Sequence, residues 1–410
     1  MAHMACHDVY NPHIIGLTGS FGSGCTYIGQ NVIRDKHNYE FLSLSDSVLK
    51  PLFQKETGRD PSQAERKELQ AFGDKIRHDN GPEFFAEQII GVIRTKIEKI
   101  GERSRWVVDS IRNPAEVRAL RRFSRNFFLF GVYADKARRW ERVKAKYKDN
   151  QHDFDQDDQN DTGEDNQDFG QHVGDCFYEA DVVVTNDVDI DTIGNDDFKG
   201  LQGQIGQYVE LVQRPLSRQQ PICLEESLMA AAYALSQRSS CRKRKVGAVI
   251  CDAMGNIISS GYNEVPANER PCTKEYMTCY RDKLVDDFMQ ALGQMVPEVQ
   301  QKPMDVKGLF RRQFKILDYC RALHAEENAI VNLARNGRSV PLEECVLYTT
   351  TYPCRMCANK IASVGIKQVV YLEPYPDQRA KVILKKADVQ DRFFRGVTFK
   401  AYSRLYGEEK

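Results

Sequence analysis

The sequence predicts an α/β protein of two domains, a parallel sheet covered by helices followed by a compact three-layer α/β/α unit. Three observations carry that reading. Short apolar runs alternate with helical patterns in the first half of the chain. A polar stretch bracketed by prolines, Gln213 to Pro221, reads as a linker. Helix and strand patterns then alternate again through the second half.

Taken in order, residues 1–11 read as an N-terminal arm or cloning scar, and Met1 to Asp8 lacks the basic-then-apolar layout of a signal peptide. The first domain spans 12–212. His13 to Thr18 is a short apolar run ahead of glycines, and Trp106 to Asp109, Phe127 to Tyr133 and Ala180 to Thr185 are further buried-strand candidates. Residues 149–168 are acidic, amide-rich and almost free of apolar side chains. They predict a mobile surface loop, because nothing there offsets the entropy of ordering. Beyond the linker at 213–221, the second domain spans 222–410. It opens with a helix, Leu224 to Gln237, and continues with strands Val246 to Cys251 and Ile257 to Tyr262, turned at Gly255-Asn256. After a long polar excursion come helix 324–335, strand 345–350, helix 354–364, strand 367–372 and helix 378–387.

Lysine plus arginine and aspartate plus glutamate number 58 each, a formal net charge of zero. A polynucleotide partner calls for a basic excess, so the balance leans against one. No apolar run approaches the ~18 residues that span a bilayer. The 12 cysteines of a long chain without a secretion signal read as thiols and metal ligands rather than disulfides. The expected compartment is the cytoplasm.

The chemistry is concentrated in two short motifs. His324-Ala325-Glu326 opens an apolar-periodic helix, and Pro353-Cys354-Arg355-Met356-Cys357 stands at the start of another. Cysteines at i and i+3 face the same way, so both sulfurs reach one ion. A helix N-terminus favours the thiolates that zinc needs. One imidazole (His324) and two thiolates (Cys354, Cys357) leave a fourth tetrahedral position open, the mark of a catalytic zinc. Glu326, two residues from the ligand, is placed to take a proton from water and return it. This H-x-E…P-C-x-x-C pattern resembles the zinc nucleobase deaminases. It implies attack of hydroxide on C4 of cytosine, protonation of N3 and then of the leaving amine by Glu326, and loss of ammonia.

Longer segments narrow the resemblance. LYTTTYPCRMCANKIASVGIKQVVYLEPYPD and VGAVICDAMGNIISSGYNEVPAN resemble the deoxycytidylate deaminase branch of the cytidine deaminase superfamily, and the likeness covers nearly all of 222–405. It implies a cytidine-deaminase fold, a sugar contact for Asn263 in Gly261-Tyr262-Asn263…Pro266, and a substrate contact for Ala325. The layout of Cys272, Cys279 and Cys320 is similar to that of bacterial members and implies a second, structural zinc, with inert buried thiols as the alternative. The basic run Arg242-Lys243-Arg244-Lys245 is either a solvated face or a cradle for nucleotide phosphates.

In the first domain, Gly19-Ser20-Phe21-Gly22-Ser23-Gly24-Cys25-Thr26 fits the phosphate loop G-x-x-x-x-G-K-[ST], except that Cys25 stands in place of the lysine. Gly19, Gly22 and Gly24 let backbone N–H groups wrap a phosphate, and Thr26 can reach a magnesium ion. Cys25 brings no charge to the β and γ phosphates. Together with Asp46, Asp109, Arg138, Arg139 and Arg142, the loop resembles nucleoside monophosphate and dephospho-coenzyme A kinases. The likeness implies a P-loop kinase-like fold whose nucleotide pocket serves sensing or assembly rather than phosphoryl transfer. A kinase-like domain ahead of a deoxycytidylate deaminase resembles the bacterial antiviral deoxycytidylate deaminases. It implies removal of dCMP and dCTP during phage infection, an inhibitory small RNA, dCTP or dTTP as effectors, and a homo-oligomer such as a hexamer. The competing functions are a housekeeping deaminase supplying dUMP and an editing deaminase of RNA or single-stranded DNA, which needs a basic, aromatic channel.

Overall fold

The computed structural model describes residues 11–100, 105–161, 172–188, 196–213, 222–296, 306–310, 314, 316–337, 340–373 and 378–406. The chain forms two compact units, Met1–Glu226 with Phe393–Lys410, and Ser227–Arg392.

In the first unit, β1 (His13–Thr18), β2 (Glu40–Ser43), β3 (Arg105–Asp109), β4 (Phe127–Tyr133) and β5 (Val182–Thr185) run parallel in the order β5-β4-β1-β3-β2. The four expected strands are present, with β5 starting two residues later than its apolar run suggests. Their near-continuous apolar character fits strands buried on both faces. β2, whose EFLS is short and half-polar, carried no comparable signal. Because β1 lies between β3 and β4, the order of strands reverses beside it, and such a switch point opens a crevice at the carboxyl ends of the strands.

Two expectations fail here for identifiable reasons. Residues 149–168 are not a loop throughout: after a turn at 149–150, Gln151–Asp161 is a helix, while 162–168 lie outside the described residues. Phe154, 1% exposed, packs among Trp140 and Tyr147. The acidic side chains pair with a basic neighbourhood: Lys136 meets Asp155 at 2.8 Å, Arg139 meets Asp158 at 2.6 Å and Arg66 meets Asp157 at 3.4 Å. One anchor and several ion pairs thus replace the missing apolar face. The second concerns the C-terminus, expected within the second domain. Gly396–Val397 (β11) pairs antiparallel with β5 and completes the first unit's sheet. Asp181, with no exposed surface, accepts from Arg121 and Arg404 and from the Leu129 N–H, tying helix Phe399–Tyr406 beneath that sheet. Most of the expected linker, 214–221, lies outside the described residues.

The second unit holds β6 (Gly247–Cys251), β7 (Ile257–Tyr262), β8 (Val346–Thr349), β9 (Gln368–Tyr371) and β10 (Gln390–Phe393) in the order β10-β9-β8-β6-β7. β6 is antiparallel to β7 and β8, and β8 is parallel to β9. The expected elements appear within a residue or two, and the polar excursion folds in part as helix Tyr280–Met295. Helix Ala325–Arg335 lies tightly on β7 because Gly261 has no side chain. A Cβ there would stand 2.4 Å from the Ala325 carbonyl oxygen. Among the described residues, no helix is long and apolar enough to cross a membrane.

Candidate active site

His324 and Cys354 occupy the same structural position in different helices. Each is the extended residue capping a helix N-terminus, ahead of Ala325–Arg335 and Arg355–Val364 respectively. The two positive helix ends therefore converge where thiolates must be stabilised. His324 is fixed from both directions. Leu323 bridges to Glu264 through paired backbone bonds of 3.0 and 3.2 Å, and the Glu327 carboxylate accepts the His324 N–H at 3.3 Å. Glu327 also meets Lys360 at 3.1 Å, joining the two helices.

The imidazole Nδ1 of His324 lies 3.3 Å from Cys354 Sγ and 3.4 Å from Cys357 Sγ, and the three ligand atoms lie within 4.8 Å of one another. Zinc bonds of about 2.0 Å to nitrogen and 2.3 Å to sulfur in a tetrahedron separate N and S by about 3.5 Å, so these residues fit a zinc ion. Glu326 is 3% exposed beside them. Burial pushes its carboxyl up, against the opposing charge of His324, which favours a group that can hold a proton. Burial works to lower the His324 imidazole, but its bonds to Cys320 and Cys354 outweigh it and push it up to about 10. The hydrogen bond from Cys357 draws Cys354 down, and Cys357, which gives it, goes up.

The other implied residues are placed as follows. Ala325 is fully buried under β7. Asn263 is 8% exposed, and its carboxamide accepts from the Val246 N–H at 2.7 Å and donates to the Arg244 carbonyl at 2.8 Å. It pins the chain entering β6 to the loop leaving β7. Among the described residues, the ligand atoms of Cys272, Cys279 and Cys320 are not brought together as a group of three. His324, Cys354 and Cys357 are, among the described residues, the group of three whose ligand atoms converge. Glu373 was missed; it is buried at the end of β9, holds Arg244, and accepts the Tyr352 N–H through its carbonyl at 2.8 Å.

At the carboxyl end of β1, Gly22 and Gly24 have positive φ of 85° and 93°, a backbone that only glycine adopts without strain. Gly19 cannot carry a side chain, since a Cβ there would stand 2.4 Å from Ser23 Oγ. Thr26 donates to Asp109 at 2.6 Å. Asp109 is buried, with one carboxylate oxygen unpartnered, and burial pushes its pKa up. Burial also pushes the Cys25 thiol up to about 12, with the Asp109 charge adding to the rise, so Cys25 is neutral at physiological pH. Arg139 and Arg142 donate to the loop carbonyls of Phe21 and Gly22 at 3.2 and 3.1 Å. Asp46 instead pairs with Lys50 on an exposed helix surface, and Arg138 is exposed.

The model of the cytidine and deoxycytidylate deaminase zinc-binding region matches residues 224–373. The deoxycytidylate deaminase of Enterobacteria phage T2 is 34% identical over 165 residues, covering 36% of this chain and 79% of that protein. The chain belongs to the cytidine and deoxycytidylate deaminase family. It is therefore an enzyme of the hydrolytic deaminase class, and residues 224–373 are its deaminase region. The deoxycytidylate deaminase of Mycobacterium phage D29 is also 34% identical, over 36% of this chain and 92% of that protein. The crystal structure of the cyanophage S-TIM5 dCMP deaminase with dCMP and dUMP is 23% identical with a TM-score of 0.29, covering 42% of this chain and 96% of that one.

Proposed function

We propose that the protein is a zinc-dependent hydrolase of free deoxycytidine nucleotides, converting dCMP, dCTP or both to the deoxyuridine nucleotide and ammonia. The observation that carries this is the convergence of His324, Cys354 and Cys357 beside buried Glu326, in a chain whose relatives are named deoxycytidylate deaminases. Zinc, when bound, brings the pKa of water down toward about 7 and so makes hydroxide available at neutral pH. The chain does the rest. His324, Cys354 and Cys357 hold the ion, and Glu326 accepts the proton of water, delivers it to N3 of cytosine and then assists the departing amine at C4. Asn263 and Ala325 are the residues assigned to orient the nucleoside. Purified full-length protein offered dCMP, dCTP, cytidine and a cytosine-containing oligonucleotide tests the reading. Turnover of dCMP or dCTP alone supports it and counts the phosphates accepted. Turnover of the oligonucleotide alone overturns it.

For the first unit we infer a P-loop kinase-like domain, 12–212, that binds a nucleotide with magnesium without transferring its phosphate. The parallel order around β1, the glycine turn after it and the Thr26–Asp109 pair support the reading, and the neutral Cys25 argues against transfer. An antiphage role, an inhibitory small RNA, dCTP or dTTP as effectors and a homo-oligomer in the cytoplasm extend the same proposal from the two-part organisation of the chain.

A further inference from the structure

Glu264 stands inside Gly261-Tyr262-Asn263…Pro266, at a position to which the resemblance gives no role. Its carboxylate Oε2 accepts the Ser240 N–H at 2.8 Å, and Oε1 accepts the Ser240 hydroxyl at 2.7 Å and the Val265 N–H at 3.0 Å. Ser239, the preceding residue, donates its hydroxyl to the Asn263 carbonyl at 2.6 Å. The turn after helix Leu224–Ser236 and the loop leaving β7 are therefore tied by two serines and one carboxylate. Hydrogen bonds to an ionised carboxylate are the stronger class, and Glu264 is half-buried, where water competes less.

The backbone of the same residue reaches the metal centre. The Glu264 N–H donates to the Leu323 carbonyl at 3.2 Å, and the Leu323 N–H donates back at 3.0 Å, an antiparallel bridge outside the sheet. Leu323 is the residue before His324, whose Nδ1 stands 3.3 and 3.4 Å from the two sulfurs. Hydrogen bonds and peptide links thus run without a break from Ser240 through Glu264 and Leu323 to the imidazole. Helix Ala325–Arg335 has separate straps to β7. Asn328 donates to the Tyr262 carbonyl at 3.0 Å, and Asn332 donates to the Ser260 carbonyl at 2.9 Å. Those straps hold the body of the helix, whereas the Glu264 bridge holds the chain where the helix begins. A zinc ligand must stand within about 0.2 Å of its bond length, so whatever fixes the backbone at 323 and 324 decides how well the imidazole serves.

We propose that Glu264 is a positioning residue of the metal centre, setting His324 relative to Cys354 and Cys357 through its bonds to Ser240 and Leu323. The assignment rests on the reading of this centre as a zinc site. It makes zinc affinity the property that Glu264 governs, and so separates its role from that of Glu326, whose loss leaves all three ligands in place.

The test uses full-length protein and measures the zinc dissociation constant by competition with a chromophoric chelator, together with the visible spectrum of the cobalt(II)-loaded protein. Glu264→Ala is expected to raise the constant about 10-fold and to shift the cobalt bands, because a ligand that loses the group behind it is held less well. Ser240→Ala, which removes the hydroxyl donor, gives a smaller rise. Combined with Glu264→Ala it adds little, since both variants break one contact. Glu264→Gln keeps an acceptor oxygen and recovers part of the loss. Asn332→Ala cuts a strap of the same helix farther from His324 and is the control for a merely structural role. Its zinc constant is expected within about twofold of wild type, with unchanged cobalt bands. A zinc constant unchanged in Glu264→Ala, or raised as much in Asn332→Ala, overturns the assignment. If Glu264→Ala fails to fold, Glu264→Gln and Ser240→Ala carry the same comparison. Wild-type protein that binds neither zinc nor cobalt sinks the underlying reading of the centre instead.

Discussion

Glu326 and Cys354 are neighbours with separable duties. Glu326→Ala leaves all three ligands in place, so the variant is expected to retain zinc while kcat falls by about 10²- to 10⁴-fold. Metal analysis that finds zinc lost with the activity would sink its assignment as proton carrier. Cys354→Ala removes a ligand and is expected to lose both. Asp109 makes a different kind of statement. Burial raises its folded-state pKa above the ordinary carboxylate value of about 3.9. Such a group contributes stability below its unfolded pKa and loses it as pH rises through the folded one, so at pH 7 its charge is a cost. Asp109→Asn is expected to raise Tm by about 2–4 °C at pH 7, a gain that shrinks toward pH 4. Thermal melts across pH decide it; an unchanged or lower Tm at pH 7 contradicts the argument.

The acidic helix Gln151–Asp161 stands on Phe154. Phe154→Ala is expected to cost about 3 kcal/mol or, if the helix opens by itself, to expose it to protease at equal overall stability. Resistance equal to wild type, with an unchanged melting curve, would show that the ion pairs with Lys136, Arg139 and Arg66 suffice. This helix also marks where sequence reasoning stopped. β1 and β4 were legible because runs such as Phe127–Tyr133 are buried on both faces and read as such. The metal centre was legible because its ligands sit at helix starts, where i and i+3 spacing fixes their direction. Gln151–Asp161 has one apolar anchor, and its other partners come from distant segments. Glu373 was illegible for the same reason, since its contact with Arg244 is made only by the folded chain.

At the scale of the molecule, the deaminase unit is inserted in the first unit rather than appended to it. Truncation after Arg392 leaves β5 as an open edge and takes Arg404 from Asp181. The truncated protein is expected to aggregate or to melt earlier in its first unit, read by size-exclusion chromatography and calorimetry. A monodisperse product with an unchanged melting profile would show β11 to be dispensable. The same connectivity has a consequence for synthesis on the ribosome. Thr398 reaches back to the carbonyl of Ala180, 218 positions earlier. At roughly 5–20 residues per second, β5 waits on the order of 10–40 seconds for its last neighbour. Emergence of Gly396–Val397, not of the first half, is the event that closes the older sheet. A nascent chain stalled inside the deaminase therefore leaves that sheet visibly unfinished to chaperones and proteases.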